Sequence, residues 1–147
     1  MSETRTDVFC IELFQALVPI SEKLITLECD GSTRAAGFLL ERAGIPYKSY
    51  VCEVACKTFN LPIHYFLEIG EGVRLDFGLR HWYGPNHSPA GVYQAGQEEK
   101  HGITLKGVKK VTGLYCDTTL FNVLMGQVEV TPIVKQMWQA YIKFSQK

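Results

Sequence analysis

The segment 63–77 places the tightest constraint on the fold. Two runs rich in β-branched, aromatic and aliphatic residues, Ile63–Ile69 and Val73–Phe77, flank Gly70-Glu71-Gly72. Such a pattern predicts an antiparallel hairpin. Loop length then decides which side chains share a face, because a one-residue slip turns a strand over. A three-residue loop pairs Ile69 with Val73 and brings Phe66 opposite Asp76. It also sets His64 diagonally from Asp76 on the same face. A two-residue loop would send His64 and Asp76 to opposite faces. Gly72 stands where the three-residue loop needs a left-handed residue. In that register Glu68 lies opposite Arg74, which predicts a cross-strand ion pair. Asp76 sits in an apolar strand, where an unpartnered carboxylate is costly. His64 is the partner that this register supplies.

The rest of the chain predicts helices on either side of that sheet. Val8–Leu17 reads as a helix that ends before Pro19, and Ser21–Leu27 as a second helix after the break. Asp30–Ala43 has a broad apolar face from Ala35, Ala36, Phe38, Leu39, Leu40 and Ala43. Asp30 or Ser32 would cap it, and Gly44 followed by Pro46 would stop it. Tyr47–Val54 predicts another strand. Pro85–Gln97, with its Gly, Pro, Asn and Ser, predicts a long loop. Val108–Tyr115 and Val128–Val130 predict strands. Thr118–Met125 predicts a short helix capped by Asp117, and Pro132–Phe144 a closing helix with Pro132 in its first position. At 147 residues this amounts to one domain, 1–147. Its class is α+β, with N-terminal helices packed on an antiparallel sheet.

Bulk chemistry excludes several function classes. The formal net charge is zero, so the cationic excess that a nucleic acid rewards is missing. The basic run Lys106–Lys110 is short and reads as solvated surface. Apolar runs such as Ala16–Ile20 fall far below the ~20 residues that a membrane-spanning helix needs, so no membrane role is expected. Five cysteines, Cys10, Cys29, Cys52, Cys56 and Cys116, form no evident disulfide framework. Met1–Asp7 is polar and charged, which predicts no signal peptide. A reducing, cytoplasmic location is the expectation. Phosphate-binding glycine loops, GxSxG elbows and HExxH pairs are absent from the sequence.

The chemistry-bearing residues are Cys29, His64 and Asp76. Cys29 stands immediately before the predicted helix of residues 30–43. A helix N-terminus offers partial positive charge and unpaired N–H groups. Both stabilise a thiolate, and the same amides can bind an oxyanion. His64 would exchange the proton with the thiol, and Asp76 would orient the imidazole. Against this stands the plainer reading of Cys29 as a small packing residue. Arg80 and Trp82, just beyond the Asp76 strand, are candidates for binding substrate, and His81 is a rival base. His87 and His101 lie in polar, loop-like contexts and read as solvent-exposed. Cys52 and Cys56 with His64 suggest zinc only if a fourth ligand is recruited from elsewhere.

The ordered set has a resemblance. Cys29-Asp30-Gly31-Ser32-Thr33-Arg34-Ala35-Ala36 with Leu39-Leu40 and Gly44-Ile45-Pro46-Tyr47 resembles the nucleophile helix, and its exit, of the papain-like and transglutaminase-like superfamily. His64-Tyr65-Phe66-Leu67-Glu68-Ile69, then Leu75-Asp76-Phe77, resembles its histidine and acid strands. The likeness covers residues 27–84. It extends to arylamine N-acetyltransferases and to small bacterial and phage papain-like proteins. It implies a cysteine hydrolase or acyltransferase acting on an amide, ester or thioester, with a peptide, protein or small acyl substrate. No metal or bound cofactor is implied, though a transferase would need an acetyl-CoA-type donor. Glu28 and Asp30 depart from the pattern, since two acids beside a thiol oppose thiolate formation. They motivate the alternative of a catalytically inactive papain-like binding module, for example a phage protein that inhibits a host factor.

Overall fold

The computed structural model describes residues 4–58, 60–84 and 91–146. Helix α1 is Arg5–Thr26, capped reciprocally by Thr4 and Asp7. It runs straight through Pro19, where a break was expected. Proline inside a helix costs about 3 kcal/mol. Leu17, Ile20 and Leu24 continue one buried face across it, and burying each such side chain returns about 1.5–3 kcal/mol. Packing therefore overrides the local preference.

Helix α2 is Cys29–Ala43, closed by the left-handed Gly44. The expected caps, Asp30 and Ser32, instead lie inside it. Glu28 occupies the cap position and makes no side-chain bond there. Strands β1 (Lys48–Ala55), β2 (Asn60–Ile69), β3 (Val73–Asp76), β4 (Gly91–Gln94) and β5 (Thr104–Val111) form one antiparallel sheet, in the order β4-β3-β2-β1-β5. Ile69 pairs with Val73 across Gly70-Glu71-Gly72, as the three-residue loop requires, and Gly72 has φ 102°. Short helices α3 (Gly78–Tyr83), α4 (Gln97–Lys100) and α5 (Thr118–Met125) lead to the closing α6 (Val130–Ser145). Asp117 caps α5 through the Leu120 amide.

Three expectations for the last third need correction. Gly91–Gln94 is an edge strand and Gln97 opens a helix, where a loop was expected; residues 85–90 of that loop, including His87, lie outside the described residues. Four residues are too few to show a strand period, and β4 forms because β3 offers it a free edge. The following strand is Thr104–Val111, not Val108–Tyr115. A bulge at Gly107 and Val108, opposite Cys52, lets it continue through Gly107. Val130 begins α6 and is not a strand residue, so Pro132 is the third residue of the helix.

Helices α1 and α2 cover one face of the sheet and α6 packs on those two helices, so that Leu67, Ile69, Val73, Leu75 and Val92 share one buried cluster with Leu13, Leu17, Leu39, Leu40 and Met137. The other face holds a smaller apolar cluster of Cys52, Val54, Leu61, Phe66, Leu79, Tyr93 and Ile103. No helix among the described residues is long and apolar enough to cross a membrane. Glu68 and Arg74 are cross-strand neighbours, but they do not form the expected ion pair. Glu68 accepts the Gly72 amide at 3.2 Å, closing the hairpin loop. The Arg74 guanidinium lies over the Phe66 ring and donates to the buried Glu98 at 2.5 Å. This bond ties α4 to the sheet. Removing the carboxylate leaves a largely buried guanidinium without its partner. Glu98→Ala is expected to cost about 3 kcal/mol, measured by urea denaturation at neutral pH.

Candidate active site

The β2–β3 hairpin places His64 and Asp76 on the same face. Both are buried, His64 completely. His64 Nε2 lies 2.7 Å from Asp76 Oδ2 and donates its N–H to it. Two further donors hold the carboxylate: the Leu79 amide on Oδ1 at 3.2 Å and the Tyr93 hydroxyl on Oδ2 at 3.5 Å. The first comes from α3 and the second from β4. Asp76 is thereby fixed from three elements, which fixes the imidazole in turn. The opposite ring nitrogen, His64 Nδ1, is buried with no hydrogen-bond partner.

Cys29 lies beside the ring and interacts with it by hydrogen bond and charge. It is the first residue of α2, and the first helical bond runs from Ser32 N–H to the Glu28 carbonyl at 2.8 Å. The amides of Cys29, Asp30 and Gly31 precede it and have no intrahelical acceptor. The thiol is half-buried, with its sulfur 4.0 Å from the Ile63 carbonyl oxygen. One turn later Thr33 Oγ1 donates to the Tyr65 carbonyl at 3.3 Å. Helix and strand thus advance in step, since four helical residues and two strand residues each span about 6–7 Å.

Gly78 explains how closely the two side chains meet. A methyl group at this position would lie 3.0 Å from Cys29 Cβ and 3.1 Å from His64 Cε1. Cysteine and histidine therefore both rest on one glycine face, and no larger residue fits without moving one of them. Gly78→Ala is expected to slow alkylation of Cys29 by about tenfold, since a displacement of about 1 Å at a reacting pair is worth up to about 100-fold. Labelling kinetics beside the melting temperature would separate this from a general loss of stability.

Burial alone would depress the His64 pKa. The Asp76 carboxylate, by charge and hydrogen bond, and the neighbouring Cys29 outweigh that and raise it to about 10. The folded state therefore holds the imidazolium more tightly than the unfolded chain, whose histidine titrates at about 6.5. The sign follows: this contribution to stability is complete below about pH 6.5 and is lost as the pH rises towards about 10. Wild type compared with His64→Gln in urea denaturation across that range should show the difference shrinking as the pH rises.

The other candidates fall into place around this centre. Asp30, one of the two flanking acids, is engaged by Arg34 at 2.8 Å. Cys52 lies directly across from His64 on β1, and burial pushes its thiol up to about 12. Cys56 contacts Thr58, and among the described residues no three potential ligands gather to hold a metal, so the zinc alternative finds no site. Arg80 and Trp82 share α3 with Gly78. Trp82 is 44% exposed and packs edge-on to His81. Among the described residues no hydrogen bond or ring contact joins Arg80 or Trp82 to Cys29, His64 or Asp76. His81 and His101 are exposed, and Asp76 takes His64, not His81, as its partner. Sequence reasoning missed Gly78, the Leu79 amide and Tyr93. Gly78 follows Asp76 by two residues, but only the meeting of α2 and β2 gives it meaning.

The chain matches no protein-family model, no curated protein and no solved structure.

Proposed function

We propose that the protein is a cysteine-dependent hydrolase or acyltransferase that acts on an amide, ester or thioester, built on a papain-like or transglutaminase-like core. One observation supports this reading: a completely buried imidazole, held through Nε2 by a carboxylate with two further donors, lies beside a half-exposed thiol that interacts with it by hydrogen bond and charge.

The chemistry follows from these positions. The raised His64 pKa favours imidazolium at neutral pH, the form that accompanies a thiolate. The thiolate attacks the acyl carbon, and the developing oxyanion has the unpaired amides at the start of α2 as donors. His64 Nδ1–H protonates the leaving group as the carbon–heteroatom bond breaks, leaving an acyl-cysteine. Water then resolves it in a hydrolase, or an amine in a transferase, with neutral His64 Nδ1 accepting the proton. Asp76 holds the ring in place throughout. A transferase would take its acyl group from an acetyl-CoA-type thioester.

The inactive binding module keeps one argument of its own, the exposed Glu28 carboxylate beside the thiol. Iodoacetamide labelling of Cys29 separates the two readings. Wild type is expected to react at pH 6 about 100-fold faster than His64→Ala, with Asp76→Ala between them, because an ordinary thiol is almost wholly protonated there. Equal rates in all three, at the level of a free thiol, leave the binding module standing.

A further inference from the structure

One hydroxyl in the smaller apolar cluster serves two buried carboxylates. Tyr93 lies on β4 directly opposite Arg74 on β3, and Asp76 stands two residues further along the same face. The Tyr93 hydroxyl donates to Asp76 Oδ2 at 3.5 Å. The same hydroxyl reaches Glu98, which α4 inserts into this face and which is 3% exposed. Glu98 is anchored there by Arg74, which donates to Oε2 at 2.5 Å, and by the Gly96 amide, which donates to Oε1 at 2.9 Å. A carboxylate oxygen accepts two hydrogens. Asp76 Oδ2 therefore takes both the imidazole and the phenol, and Glu98 keeps a place for the phenol too. The phenol has one hydrogen to give.

The length of the Tyr93–Asp76 bond follows. A hydroxyl that serves a single carboxylate lies at about 2.5–3.0 Å, and 3.5 Å is what a hydrogen drawn towards two acceptors leaves for Asp76. Each carboxylate has its own basic partner: Arg74 for Glu98, and His64, with Cys29 beside it, for Asp76. Cys52 on β1 is the other titratable group near this network, and burial pushes its thiol up to about 12, so it stays protonated. The two pairs meet across a single hydroxyl. What Glu98 takes of its hydrogen, Asp76 loses.

We propose that Tyr93 is a positioning residue for the Cys29–His64–Asp76 centre and that α4 regulates the centre through it. Seating Glu98 draws the phenol hydrogen away from Asp76 and loosens the hold of Asp76 on His64. Withdrawing or neutralising Glu98 gives the hydrogen to Asp76 and tightens that hold. The build of α4 suits this, since the helix has four residues and buries Glu98 while Glu99 and Lys100 are exposed. The effect on Cys29 rests on its role as the nucleophile; the effect on His64 does not.

Two rates test this: iodoacetamide labelling of Cys29 at pH 6, and exchange of the His64 Nε2–H proton with water, followed by NMR and assigned by its loss in His64→Gln. Tyr93→Phe keeps the ring and removes the hydrogen. It should slow labelling about tenfold and speed the exchange about as much, the effect of one hydrogen bond to a charged group. Glu98→Gln puts a weaker amide acceptor in place of the carboxylate and should move both rates the opposite way, about threefold. In the double variant, with no hydroxyl to redirect, Glu98→Gln should add nothing to Tyr93→Phe. Tyr50→Phe, in the same cluster, should leave both rates at their wild-type values; a change there equal to that in Tyr93→Phe marks a general loosening and overturns the proposal. Wild-type rates in Tyr93→Phe overturn it as well. So does a Glu98→Gln effect of one size with and without the hydroxyl, which is direct charge alone. Where Glu98→Gln does not fold, Arg74→Gln combined with Glu98→Gln removes both charges together and takes its place. If wild-type Cys29 labels no faster than a free thiol, the nucleophile reading falls, and the exchange rates alone decide the role of Tyr93.

Discussion

The bond between His64 Nε2 and Asp76 Oδ2 is the interaction on which the rest of this structure depends. A carboxylate and an imidazole, both withdrawn from water, are tolerated only when paired and hydrogen-bonded. That demand reaches outward. Asp76 takes the Leu79 amide and the Tyr93 hydroxyl as well as the imidazole, so α3 must start where it does and β4 must dock on β3. Tyr93 also lies near Glu98, which holds Arg74. A polar chain therefore runs from α4 through the sheet to the imidazole, inside a face that is otherwise apolar. Such networks are stable only when nearly complete, and incomplete ones are costly. The one atom of the His64–Asp76 pair left without a partner, His64 Nδ1, is the atom nearest in role to the thiol.

Much of this was legible in the residues because the hairpin obeys strict geometry. A period of two and a loop of three residues leave one register, and that register sets His64 and Asp76 together. Short, capped elements such as Thr118–Met125 were also readable, since Asp117 and the apolar run are local signals. The α2 helix was legible as a helix, but its cap was not. Asp30 has good capping chemistry, yet its carboxylate is occupied by Arg34, four residues on.

What could not be read was decided by contacts distant in sequence. Pro19 breaks helices in isolation, but the apolar face of α1 spans it. Gly91–Gln94 has no strand signature of its own and is a strand because β3 needs a neighbour. Arg74 had Glu68 in register opposite it, yet Glu98 reaches it from α4, and Glu68 is drawn to the hairpin amide of Gly72. In each case tertiary packing outvoted a correct local rule. Gly78 belongs with these. A glycine after an acid strand carries no message until a helix and a strand are laid against it.

The parallel advance of α2 and β2 has a consequence for how such a centre is recognised. The thiol meets the imidazole because one helical turn keeps pace with two strand residues, from Cys29 beside Ile63 to Thr33 beside Tyr65. Between them the chain builds the rest of α2 and the paired strand β1, and the turn at Lys57 and Thr58 is connecting material. Lengthening that turn would change the number of residues separating Cys29 from His64 without moving either atom. The chemistry is carried by a phase relation between two rods, and the spacing along the sequence is its least durable trace.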